Sequence, residues 1–91
     1  MRFEWNARKA AANVRKHGVS FDEAASVFLD SLSATGDDPD HSLDERRFVT
    51  FGNSSSGRLL VVAHVHHDDV VRIITARLAT RAERKLYEEA L

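Results

Sequence analysis

The stretch Arg58–Arg77, RLLVVAHVHHDDVVRIITAR, constrains this chain more than any other. Two runs rich in Val, Ile and Leu flank His67-Asp68-Asp69, the pattern of a β-hairpin. In the first run Leu59, Val61, Ala63 and Val65 alternate with Leu60, Val62, His64 and His66. Residues two apart share a face of a strand, so His64 and His66 point the same way. A three-residue turn at 67–69 sets His64 opposite Arg72 and brings imidazole and guanidinium within cross-strand reach. A two-residue Asp68-Asp69 turn shifts the pairing by one and turns Arg77 onto the His64 face instead. We expect the longer turn, and either register places an arginine with the histidines. Packing and chemistry then share one element.

The rest of the chain bounds what that hairpin serves. At 91 residues it makes one domain, burying roughly 60–65% of its unfolded surface. The absence of cysteine excludes a disulfide framework, a thiolate metal site and a cysteine nucleophile. With no N-terminal apolar segment and no long apolar run, neither secretion nor membrane insertion is expected, and a cytoplasmic protein is. The net charge of −1 averages an acidic stretch (Asp30, Asp37, Asp38, Asp40, Asp44, Glu45) against more basic flanks, which permits a local basic face without arguing for one.

Taken in order, Met1–Trp5 alternates as a short strand, with Phe3 and Trp5 on one side. Asn6 caps a helix over Ala7–His17 with Ala7, Ala10, Ala11 and Val14 as its apolar stripe, and Gly18 ends it. Ser20 and Glu23 form a capping box for a second helix carrying Phe21, Ala24, Ala25 and Phe28. Asp30–Asp44, with the single proline, reads as an acidic loop in which Ser31–Thr35 pairs briefly as a strand. Arg46–Phe51 is a strand, and Gly52–Gly57 a flexible turn leading into the hairpin. Thr80 and Glu83 open a final helix reaching about Glu89, with Ala79, Ala82, Leu86, Tyr87 and Ala90 apolar. The order β-α-α-β-β-β-α predicts an α+β fold, a mainly antiparallel sheet with helices packed on one face.

Histidine transfers protons near neutral pH, and arginine holds phosphate charge through bidentate donors. His64, His66 and His67 with Arg58, Arg72 and Arg77 supply both within the hairpin, the groups that RNA cleavage by an adjacent 2′-hydroxyl requires without a metal. The bland alternative is a solvated polar strand face. A third reading takes His64-x-His66-His67 as a metal site, for which no fixed third ligand is evident beyond Asp68 and Asp69. Lys16 and His17 at a helix end are accounted for first by a favourable interaction with the helix dipole and unpaired carbonyls, with a phosphate contact as the functional alternative.

Three blocks of residues stand in a telling order. Trp5, Lys9, Asn13, Lys16-His17-Gly18-Val19-Ser20-Phe21 and Glu23-Ala24 come first. His41, Glu45-Arg46, Phe48, Gly52, Ser54 and Gly57-Arg58 follow. Arg72-Ile73-Ile74-Thr75-Ala76-Arg77, Ala79-Thr80, Glu83-Arg84 and Tyr87 close the series. In this order they resemble the opening, middle and closing signature of the BrnT family of bacterial type II toxins. Asn6, Val65 and His67 depart from it, where Asp, Thr and Arg are expected. The resemblance implies a RelE-like ribonuclease fold, RNA cleavage that arrests translation, and inhibition by a BrnA-like antitoxin. That antitoxin carries a ribbon-helix-helix domain, so DNA is met only through it. On this basis His64, His67 and Arg72 are expected to be catalytic, and Arg58, Arg77, His66 and Lys16 to bind RNA phosphate, with no metal or cofactor. The competing class is a non-catalytic interaction module using the same face.

Overall fold

The computed structural model describes residues 1–39 and 45–90. The part of the expected acidic loop at 40–44, including His41, lies outside the described residues. The described elements are β1 (Arg2–Glu4), α1 (Ala7–His17), α2 (Phe21–Ser26), a 3-10 turn (Val27–Leu29), β2 (Ala34–Asp37), β3 (Phe48–Asn53), β4 (Leu59–His67), β5 (Val70–Leu78) and α3 (Arg81–Glu89). The five strands form one sheet in the order β1-β5-β4-β3-β2. β1 runs parallel to β5, and every other neighbouring pair is antiparallel. β2 starts later than the brief strand expected at Ser31–Thr35 and makes a full edge strand against β3.

One face of the sheet is covered by α1, α2 and the 3-10 turn. Phe21, Ala24 and Val27 pack there against Leu60, Val62 and Ile73, all essentially sealed from solvent. Each such aliphatic side chain contributes about 1.5–3 kcal/mol of transfer free energy. α3 departs from the one-face expectation. Phe51 pairs with Val61, and Val61 with Arg77, so these three face away from the main core. α3 lies on that side, sharing a cleft with Phe51 and Ala34 and fixed by buried Tyr87. The Tyr87 hydroxyl donates to the Leu32 carbonyl at 3.0 Å.

Three local expectations change. In α1 the residue buried against the sheet is Asn13, while Val14, in the apolar stripe, is 49% exposed. The Asn13 amide donates to the Ala76 and Val19 carbonyls at 2.7 and 2.9 Å and accepts from the Ala76 N–H at 3.2 Å. It thereby stands in for a neighbouring strand on β5 and closes the corner between α1 and α2. Gly52 belongs to β3, not to a flexible turn. A Cβ built on it would lie 2.7 Å from Val27 Cγ1, so only glycine lets the 3-10 turn seat on the strand. In α2, Ser20 accepts the Glu23 N–H as expected. The Glu23 carboxylate, however, turns to the β3–β4 connection, where Ser54, Ser56 and Arg58 donate to it. That connection is pinned rather than loose.

Candidate active site at the hairpin end

The hairpin forms with the shorter of the two expected turns, and its register follows that alternative as far as His64 and departs from it beyond. His67 pairs with Val70, so the turn is the two residues Asp68 and Asp69, and Asp68 takes the positive φ of +54° such a turn needs. By itself this turn would set Arg77 opposite Leu60, on the histidine face. A bulge intervenes: His64 pairs with Ile73 but Ala63 pairs with Thr75, leaving Ile74 as an extra residue on β5. The bulge turns Arg77 opposite Val61, while Arg72 lies opposite Val65. Neither arginine shares the face of His64 and His66. The expected cluster of His64, His67 and Arg72 is not assembled as such; His67 and Arg72 occupy one face and His64 the other.

His64 is wholly buried at 0% exposure, with its ring edge-on to Phe28 at 4.9 Å and stacked on Phe48 at 6.0 Å. Its Nε2 lies 2.7 Å from Thr50 Oγ1, and its Nδ1 lies 2.9 Å from His66 Nε2. Burial, with the charge of His66 a lesser cause, pushes the His64 imidazole down to about 4. It is a neutral core residue at physiological pH and touches no solvent-borne substrate. His66 is the exposed member of the pair. It lies edge-on to Phe48 at 5.3 Å, and the Arg46 guanidinium sits 5.0 Å above the same Phe48 ring. On the opposite face exposed His67 meets Glu45 at 3.1 Å, and Arg72 reaches Glu4 at 3.4 Å.

The remaining expected cations are placed differently. Arg58 donates to Glu23, with Nε to Oε2 at 2.9 Å, and to the Gly18 carbonyl at 3.0 Å, tying the helical corner to β4. That guanidinium, helped by Ser54 and Ser56, holds the Glu23 carboxyl down to about 2. Arg77 pairs in bidentate fashion with Glu83 at 2.7 and 2.9 Å, anchoring α3 and holding Glu83 down to about 2. Both arginines are therefore structural ties. Lys16 lines a groove between α1 and β5 with Lys9, His17, Ile74 and Thr75, away from the histidine pair. Sequence reasoning missed Asn13 and Thr50 because a single amide or hydroxyl carries no period. The sequence marks Arg46 only as the start of a strand and part of a family block, and nothing in it signals the place over Phe48. Among the described residues no three potential metal ligands converge.

No curated protein matches the chain. The crystal structure of the Brucella abortus ribonuclease toxin BrnT is similar, with a TM-score of 0.64 at 19% identity, over 89% of this chain and 99% of that one. That likeness confirms the mixed α+β fold. The sequence model for the ribonuclease toxin BrnT of type II toxin-antitoxin systems matches residues 5–83. Spanning most of the chain, from Trp5 through the Arg77–Glu83 tie, that match shows that the chain belongs to the BrnT family of type II ribonuclease toxins.

Proposed function

We propose that this chain is a metal-independent endoribonuclease that arrests translation in the cytoplasm and is neutralised by a BrnA-like antitoxin with a ribbon-helix-helix domain. The observation that carries the reading is the family match across residues 5–83. The geometry supports it at the hairpin end, where His66 presents an exposed imidazole beside Arg46 on one face, and His67 and Arg72 lie on the other. In such a reaction a base takes the 2′-hydroxyl proton and O2′ bonds to phosphorus. Cations hold the charge of the pentacoordinate phosphorane, and the P–O5′ bond breaks with protonation of O5′. His66, with Arg46 on its own face, is proposed to act directly on RNA, and His67 and Arg72 on the opposite face, with Lys16, to contact its backbone. His64, Arg58 and Arg77 hold the surface in place.

The competing reading, a non-catalytic interaction module, draws on the commitment of Arg58 and Arg77 to carboxylates. Induced expression separates the two. The ribonuclease toxin halts growth and protein synthesis, and co-expression of a ribbon-helix-helix protein encoded beside it restores both. Undisturbed growth while folded protein accumulates would overturn the toxin reading.

A further inference from the structure

Four side chains form an unbroken hydrogen-bonded row across the sheet. Thr35 Oγ1 lies 2.7 Å from Thr50 Oγ1, Thr50 Oγ1 lies 2.7 Å from His64 Nε2, and His64 Nδ1 lies 2.9 Å from His66 Nε2. The two ends, Thr35 and His66, are exposed, whereas Thr50 and His64 are both 0% exposed. We propose that His66 is the proton-accepting catalytic residue of the ribonuclease, and that buried His64, with Thr50 and Thr35, is the positioning relay that sets its tautomer.

The argument is one of donors and acceptors. A neutral imidazole has one N–H and one lone pair, so the row must run in a single direction. If it runs from His66 to Thr35, His66 Nε2–H donates to His64 Nδ1, His64 Nε2–H donates to Thr50, and Thr50 donates to Thr35. His66 then carries its lone pair on Nδ1, for which no hydrogen bond to a described residue is seen, on an exposed side chain. If the row runs the other way, His66 Nε2 must accept, and Nδ1 already holds the proton. Only the first direction accommodates an imidazolium, because both ring nitrogens of that cation donate. Taking a proton at Nδ1 from a 2′-hydroxyl therefore locks the row into the first direction. O2′ bonds to phosphorus, the P–O5′ bond breaks, O5′ takes a proton from water, and the hydroxide left takes the proton back from His66. His64 suits this role because it stays neutral: a charged partner would repel the imidazolium.

The charged or titratable described groups facing His66 are His64 on β4 and Arg46, which stands over Phe48 of β3 and is held by Asp37 of β2 at 3.0 Å. Val71, opposite on β5, and Phe28, which packs on His64, carry no charge. The relay is thus the adjustable part of the His66 environment.

This inference rests on the ribonuclease reading, and its test separates the two. The His66 ring is titrated by NMR in the wild type, Thr50→Val and Thr50→Ser, while the pH profile of RNA cleavage is measured in parallel. Thr50→Val removes the acceptor for His64 Nε2–H and so disfavours the His66 cation. The His66 midpoint and the acidic limb of kcat/KM should both fall by about half to one pH unit, and Thr50→Ser should restore them. His66→Ala should lower kcat at least 100-fold while the fold persists. Thr35→Val, at the solvent end, should give a smaller shift in the same direction and keeps the question decidable if Thr50→Val does not fold. An unmoved His66 midpoint in a folded relay variant overturns the relay, whatever the wild type does to RNA. Cleavage that persists in His66→Ala overturns the catalytic assignment. A wild type that cuts no RNA while the midpoint shifts keeps the relay but overturns both its catalytic use and the ribonuclease reading.

Discussion

His64 and Arg72 stand on opposite faces of one β-ribbon, His64 opposite Ile73 and Arg72 opposite Val65. They are therefore energetically separate. His64→Ala leaves a cavity between Phe28 and Phe48 and strips Thr50 of its imidazole partner, which should cost about 2–4 kcal/mol. Arg72→Ala, with a side chain 38% exposed and a long contact to Glu4, should cost under about 1 kcal/mol. In urea denaturation the double mutant should equal the sum to within about 0.5 kcal/mol. A coupling well above that would contradict the opposed faces.

His64 also makes stability depend on pH, and the direction follows from its lowered value. Between its ordinary 6.5 and its folded value of about 4, the unfolded chain binds a proton that the folded chain does not. Stability is full above 6.5 and falls as the pH drops toward 4, by at most about 1.4 kcal/mol per pH unit. His64→Gln should flatten that interval. Below the ordinary carboxylate value of 4.5 the ties of Glu23 and Glu83 weaken in turn, and both proteins should lose stability together. Parallel curves for the two proteins between 6.5 and 4.5 would contradict a buried neutral imidazole.

The hairpin, the caps at Asn6, Ser20 and Thr80, and the family blocks were all legible in the sequence, because period and cap chemistry are local properties. The register was not. It depends on one extra residue, Ile74, whose bulge follows from how β5 meets its neighbours rather than from any pattern in its own residues. That single residue moved Arg77 off the histidine face, while the two-residue turn had already set Arg72 opposite Val65 and so dispersed the expected site. Arg58 and Arg77 illustrate a second limit. An arginine that grips a carboxylate 35 positions away in sequence, as Arg58 grips Glu23, looks like one waiting for phosphate. The partner is visible only once the chain is folded.

Asn13 should be among the most sensitive polar positions. Asn13→Leu keeps the volume but leaves the Ala76 N–H and the Val19 and Ala76 carbonyls without their partner, and should cost about 3 kcal/mol or more in thermal or chemical unfolding. Lys16→Ala, one turn on and exposed, should change stability by less than about 0.5 kcal/mol. Equal effects at the two positions would contradict the clamp.

Gly52→Ala forces its new Cβ against Val27 and should cost about 1–3 kcal/mol. Paired with Val27→Ala it should cost less than the sum of the two single changes, since the nearest clash is with the Val27 Cγ1 methyl. Simple additivity would mean that the strain lies elsewhere than in that contact, at Ser33 Cβ or the Val27 carbonyl.

Incubation of the purified protein with RNA in excess EDTA tests the central claim most directly. The account predicts cut RNA whose upstream fragments end in 2′,3′-cyclic phosphate, with the rate unchanged by the chelator. RNA left intact, or cutting that stops when metal is removed, would contradict it.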